Sequence, residues 1–82
     1  MNGNLSIIIY GVNKLIDDDR LPIKSRESLR MINKSFVESE KLNTDLTVLF
    51  DALHEFTSNP DWPYECKVAL WEVITKIEKE FQ

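Results

Sequence analysis

The sequence predicts an all-α protein: a four-helix antiparallel bundle built as two stacked HEAT-like helical hairpins. Two observations lead there. Apolar residues recur at helical spacing in four stretches, separated by polar or proline-bearing breaks. The two halves also match in pattern: Pro22 lies 41 residues before Pro63, and Leu5 and Leu29 lie the same distance before Leu46 and Leu70. A period of about 40 residues is that of HEAT-type hairpins. The chain of 82 residues reads as one domain over 1–82, with hairpins over 4–41 and 42–82.

The first helix is expected from about Asn4 to Asp17, with Leu5, Ile8, Val12, Leu15 and Ile16 on one face. Its isoleucine run is β-prone and Gly11 lies inside it, so a strand over 5–10 is the alternative. Continuation of the helical period through Ile16 selects the helix. Asp17, Asp18 and Asp19 then oppose the dipole at a helix C-terminus and favour a stop. Pro22 suits the first turn of the second helix, where its missing N–H costs nothing. Leu29, Ile32 and Phe36 form that helix's stripe, with the small Ser25 one turn earlier. The stretch SEKLNTD is the middle break, and Asn43 or Thr44 is positioned to cap the third helix. Leu46, Leu49, Leu53 and Phe56 give the third helix its face. SNPDW breaks the chain again, Pro63 repeats Pro22, and the fourth helix buries Cys66, Leu70, Ile74, Ile77 and Phe81.

The offset holds across both halves. Leu21 corresponds to Trp62, Arg26 to Lys67 and Leu15 to Phe56, while Ile8/Leu49, Val12/Leu53, Ile32/Val73 and Phe36/Ile77 stay apolar. Helical hairpins of equal length share such a pattern generally, so it is a similarity of pattern more than of identity.

The stretch SNPDWPYECKVALWEVITKIE also resembles the signature of an uncharacterised archaeal family of small all-helical proteins, the numbered uncharacterised protein family zero-one-four-seven. Asn59 to Pro63 stand for that family's Asp-Pro-Asn-Met-Pro turn. Ala69, Leu70 and Trp71 stand for its Leu-Ile-Trp, and Lys76, Ile77 and Glu78 for the helix end. Asp18, Leu21, Pro22 and Arg26 match its Asp-x-x-Val-Pro-x-x-x-Arg, and Leu53 to Thr57 its Leu-Asp-Glu-Ile-Ser. The likeness covers about residues 17 to 80. It departs from the family at Ile23 and Asp45, where basic residues are usual, at His54 for Asp and at Trp62 for Met. It is therefore the likeness of a divergent member. It implies a four-helix bundle and an archaeal source, and it implies no activity.

Composition narrows the function classes. The chain is 43% apolar and 29% charged, which is globular, and its net charge of −4 disfavours a general nucleic-acid binder. One cysteine excludes an internal disulfide and suits a reducing cytoplasm. The longest apolar run, Ile7 to Tyr10, is far short of the ~20 residues that span a bilayer. The N-terminal stretch lacks the basic and small-residue features of a signal peptide. A soluble, cytoplasmic protein is the expectation, with no membrane contact.

No nucleophile–base pair, metal-ligand cluster, phosphate loop or cofactor motif is present, so no catalytic residue, metal site or cofactor is expected. Asp17 to Asp19 are consecutive and cannot all point one way, which suits turn duty rather than Mg²⁺ or Ca²⁺ ligation. His54 is the only histidine and reads as a surface residue. Cys66, one turn before Leu70, reads as a buried small hydrophobe.

Two surfaces stand out. Tyr64, Val68 and Trp71 form a second apolar stripe on the fourth helix, about 110° around from its core stripe at about 100° per residue. Their counterparts 41 residues earlier include the polar Glu27 and Arg30, at Val68 and Trp71. A helix apolar on two stripes is either central to the core or meets a partner. Tyr64, Val68 and Trp71, with Trp62, Ile7 and Tyr10, are the candidate interface, for a protein partner or a second copy. The alternative is a basic flank of Arg26, Arg30 and Lys34, spaced to grip phosphates in a weak nucleic-acid- or ribosome-associated factor. The leading expectation is a non-enzymatic interaction or self-associating module.

Overall fold

The computed structural model describes residues 3–42 and 46–81, with side chains described for 5–39 and 46–81. Four helices follow in order: α1 (Gly3–Ile16), α2 (Ile23–Leu42), α3 (Thr47–Glu55) and α4 (Tyr64–Phe81). A 3₁₀ turn, Phe56–Ser58, prolongs α3. The described residues contain no strand, and the isoleucine run lies in α1. Helical spacing prevails over β propensity there because Leu5, Ile8, Val12 and Leu15 are all buried along one side. Asn43 and Thr44, the expected caps of the third helix, lie outside the described residues. The described helix starts at Thr47, and Leu46 at its N-cap provides no side-chain hydrogen bond.

All four helices feed one core. Ile8 and Val12 from α1, Leu29 and Phe36 from α2, Leu53 from α3, and Cys66 and Leu70 from α4 are almost wholly removed from solvent. A run of rings, Phe36 to Phe50 to Phe81, joins α2, α3 and α4, with centroids 5.9 and 5.4 Å apart. Asn33 is the polar exception at the α1–α2 seam. Its Nδ2 donates to Ile9 O at 3.2 Å and to Asn13 Oδ1 at 2.9 Å, while its own Oδ1 has no partner among the described residues. An amide tied to two acceptors on the neighbouring helix fixes how α2 lies along α1.

The order of packing departs from the stacked HEAT-like expectation. Short connections fold consecutive helices against each other. In the bundle α1 packs on α2 and α4, and α3 packs on the same two; α1 and α3 are diagonal, as are α2 and α4. A solenoid stack would carry each hairpin onto the next by translation, setting α1 beside α3. The contact order is that of a closed ring of four helices.

Local conformation does repeat at the offset of 41. Asp18 N bonds to Leu15 O and Leu21 N to Asp18 O; 41 residues later Asn59 N bonds to Phe56 O and Trp62 N to Asn59 O. Asp18 Oδ1 accepts from Arg20 N at 3.0 Å, and Asn59 Oδ1 from Asp61 N at 2.8 Å. Both turns are thus Asx-turns, in which a short side chain mimics the backbone. Pro22 O and Pro63 O then accept from Arg26 N and Lys67 N to open α2 and α4.

Gly11 sets the spacing of α1 against α4. A Cβ at that position would stand 2.6 Å from Val73 Cγ2. Valine is stiff about χ1 and cannot swing aside cheaply. Gly11→Ala is therefore expected to destabilise the fold by about 1–3 kcal/mol through overpacking, offset in part by alanine's better helix propensity of about 1 kcal/mol. In urea denaturation Val73→Ala in the Gly11→Ala background should recover part of the loss. Simple additivity of the two substitutions would show that this approach does not set the helix spacing.

Candidate interaction surface

The α4 stripe faces solvent in the isolated chain. Tyr64 is 79% exposed, Trp71 47% and Val68 38%, while Cys66, Leu70, Val73, Ile74 and Ile77 on the same helix fill the core. The second stripe is thus not a widened core. Trp71 is held by one neighbour that a single helical wheel does not show: its ring meets His54 of α3 edge-on, centroids 5.8 Å apart. His54 is exposed, as expected of a surface histidine. Beside this pair lies a small cleft between α3 and α4, lined by Phe50, Asp51, His54, Ile74, Ile77 and Glu78.

The remaining interface candidates lie elsewhere. Trp62 is buried at 4% exposure, which removes it from any surface. Its ring stacks on Phe56 with centroids 5.1 Å apart, and its Nε1 donates to Ser25 Oγ at 2.9 Å. The reason is its place in the turn, which is that of the buried Leu21. Ile7 and Tyr10 are exposed on α1. Tyr10 lines a shallow cleft with Lys14, Ala69, Glu72 and Lys76, on the α1 side of α4, and Lys14 Nζ lies 5.4 Å from the Tyr10 ring centroid. Trp71 lies on the α3 side, so the six residues do not form one continuous patch.

The basic flank is also divided. Arg26 Nε donates to Ile16 O at 2.9 Å and so satisfies a carbonyl at the C-terminus of α1. Arg30 and Lys34 remain exposed. The exposed Ile23, Met31 and Val37 of α2 and Val48 of α3 stood outside the sequence candidates. A wheel that placed Ile23 and Val37 off the Leu29–Phe36 stripe would have found two of them.

The charged residues of the first turn have structural work. Asp18 Oδ2 accepts from Arg20 Nη2 at 2.7 Å and from the Cys66 thiol at 3.2 Å; Oδ1 accepts from Arg20 Nε at 3.0 Å. Arg20 also reaches Glu65 at 3.6 Å. The Arg20 side chain and then its backbone N–H hold the Asp18 carboxyl well below the ordinary aspartate range, with a smaller contribution from Cys66. Burial first, and the Asp18 carboxylate second, push the Cys66 thiol up from 9.0 to about 11. Cys66 is therefore a protonated donor at neutral pH, the opposite of an activated nucleophile. Among the described residues no group of three or more His, Cys, Asp or Glu side chains is placed to hold a metal ion, and no helix is long and apolar enough to cross a membrane.

Comparison with known protein families, with curated proteins and with solved structures finds no match to this chain.

The Asp18 cluster fixes the sign of the pH dependence. With its folded value below the ordinary 3.8, Asp18 contributes stability that is present above that pH and lost as pH falls below it. With its folded value raised, Cys66 contributes stability that is present below pH 9.0 and lost as pH climbs toward about 11. Asp18→Asn should lower stability at neutral pH, remove the acid limb it supplies and reduce the alkaline limb only in part, since burial of Cys66 remains, as read by urea denaturation across pH. An unchanged profile would show that the cluster is energetically silent.

Proposed function

We propose that the protein is a non-enzymatic helical interaction module that works through the exposed face of α4. The observation that carries this reading is the exposure of Tyr64 and Trp71, at 79% and 47%, on a helix whose core-facing side is already complete. Large aromatics with polar neighbours supply most of the energy at the centre of protein interfaces, because each removes a large rigid surface from water at little entropic cost. Nothing in the packing of α4 requires rings at these two positions, since their counterparts at the 41-residue offset are Ile23 and Arg30, both exposed.

The reducing cytoplasm suits the single free, protonated thiol. The phosphate-binding alternative is weaker than the sequence suggested, because Arg26 is engaged at the end of α1, leaving Arg30 and Lys34 in a chain of net charge −4.

Trp71→Asp tests the reading. It should leave helicity and the unfolding midpoint nearly unchanged, because the side chain is half exposed, while abolishing association in sedimentation or pull-down. Retained association in a folded Trp71→Asp protein would sink the proposal, and so would unfolding, which would place Trp71 in the core.

A further inference from the structure

The cleft beside Trp71 has a composition that suits one kind of occupant. Its floor is apolar, with Phe50, Ile74 and Ile77 all buried. Its rim carries two exposed carboxylates, Asp51 from α3 and Glu78 from α4, together with the exposed His54. Neither carboxylate forms an ion pair among the described residues. The volume is about 60 Å³. That is a notch for part of one side chain, far below the ~300 Å³ at which small-molecule sites begin.

The notch continues the exposed stripe. Tyr64, Val68, Trp71, Thr75 and Glu78 follow at alternating spacings of four and three, which keeps them on one side of α4. At a rise of about 1.5 Å per residue the stripe is about 21 Å long. Another helix laid along it would meet apolar groups first and a carboxylate-rimmed hollow at the end. The chemistry of such a hollow is that of a lysine or arginine site, where methylenes can lie on apolar groups such as Phe50, Ile74 and Ile77 and the cationic head can meet carboxylates such as Asp51 and Glu78.

We infer that the α3–α4 face receives a basic amphipathic helix of a partner protein, with apolar anchors on Trp71 and Val68 and a cationic side chain in the Asp51–Glu78 notch. The inference rests on the interaction reading above and names its partner's chemistry. Charge complementarity favours this occupant over a second copy, whose net charge of −4 makes it a poorer match to an acidic rim. Opposed like charges at an interface cost energy, whereas a basic helix is drawn in and oriented.

The test uses an amphipathic peptide of leucine and lysine, about 18 residues or five turns long, and its counterpart with glutamate for lysine. Binding is read from tryptophan emission, since Trp71 is half exposed while Trp62 is buried against Phe56. The lysine peptide should bind and shift the emission to the blue; the glutamate peptide should not. Asp51→Asn with Glu78→Gln should weaken binding about fivefold, as expected for two partly exposed ion pairs, and should remove most of its salt dependence. Circular dichroism confirms that the double variant is folded. Equal binding of both peptides, or unchanged affinity in the double variant, overturns the basic-partner inference. A wild-type dimer that Trp71→Asp dissociates overturns it too, but leaves the interaction reading intact. A monomer that binds neither peptide overturns both.

Discussion

Two turns meet at one end of the bundle, and each is bonded to the first turn of the helix that follows the other. Trp62, in the second turn, donates its indole N–H to Ser25 at the start of α2. Cys66, at the start of α4, donates its thiol to Asp18 in the first turn. Ser25 and Cys66 occupy the same place in the two halves, 41 residues apart, but they are used differently: Ser25 accepts from Trp62, and Cys66 donates to Asp18. Each joins groups that could not reach one another within a single hairpin. The apolar core holds the helices together, but it is indifferent to small slides along their axes. Directional bonds at one end remove that freedom and fix how far each helix extends past its neighbour.

The same end shows why polar residues that look available in the sequence are committed in the fold. Asp18 serves the turn, Arg20 and Cys66 together. Arg26 reaches back to the last carbonyl of α1, that of Ile16. A buried or half-buried polar group left without a partner costs about 1–3 kcal/mol, so a small bundle recruits whatever donors its turns provide. What stays uncommitted is therefore informative. Asp51, Glu78, Tyr64 and Trp71 lie where no such demand exists, and they gather on one side of α4.

Periodicity made the four helices legible, and the matched prolines located both turns. The fully buried residues of α1 and the burial of Cys66 followed from the same spacing. The exposure of Tyr64 and Trp71 could not be read from the sequence, because a helix with two apolar stripes has two solutions and only the neighbours decide between them. Trp62 was misplaced for a related reason: its size suggested an anchor, while its position in the turn, shared with Leu21, governed where it points. The order of helices around the bundle was hidden as well. A repeat in sequence says that two units are alike but not which symmetry relates them. The Asp51–Glu78 notch escaped because its residues come from two helices, and no spacing along one chain brings 51 beside 78.

The ring in which each helix packs on two others has a consequence for how this architecture can vary. Units related by translation leave an open face at each end, so further units can be added and the protein lengthens. In the ring, α1 packs on α4 and α2 on α3, so neither hairpin presents a stacking face of that kind. The core stripes of both hairpins meet in one shared cluster. The outward faces are where such an architecture varies, as the contrast between Arg30 and Trp71 shows.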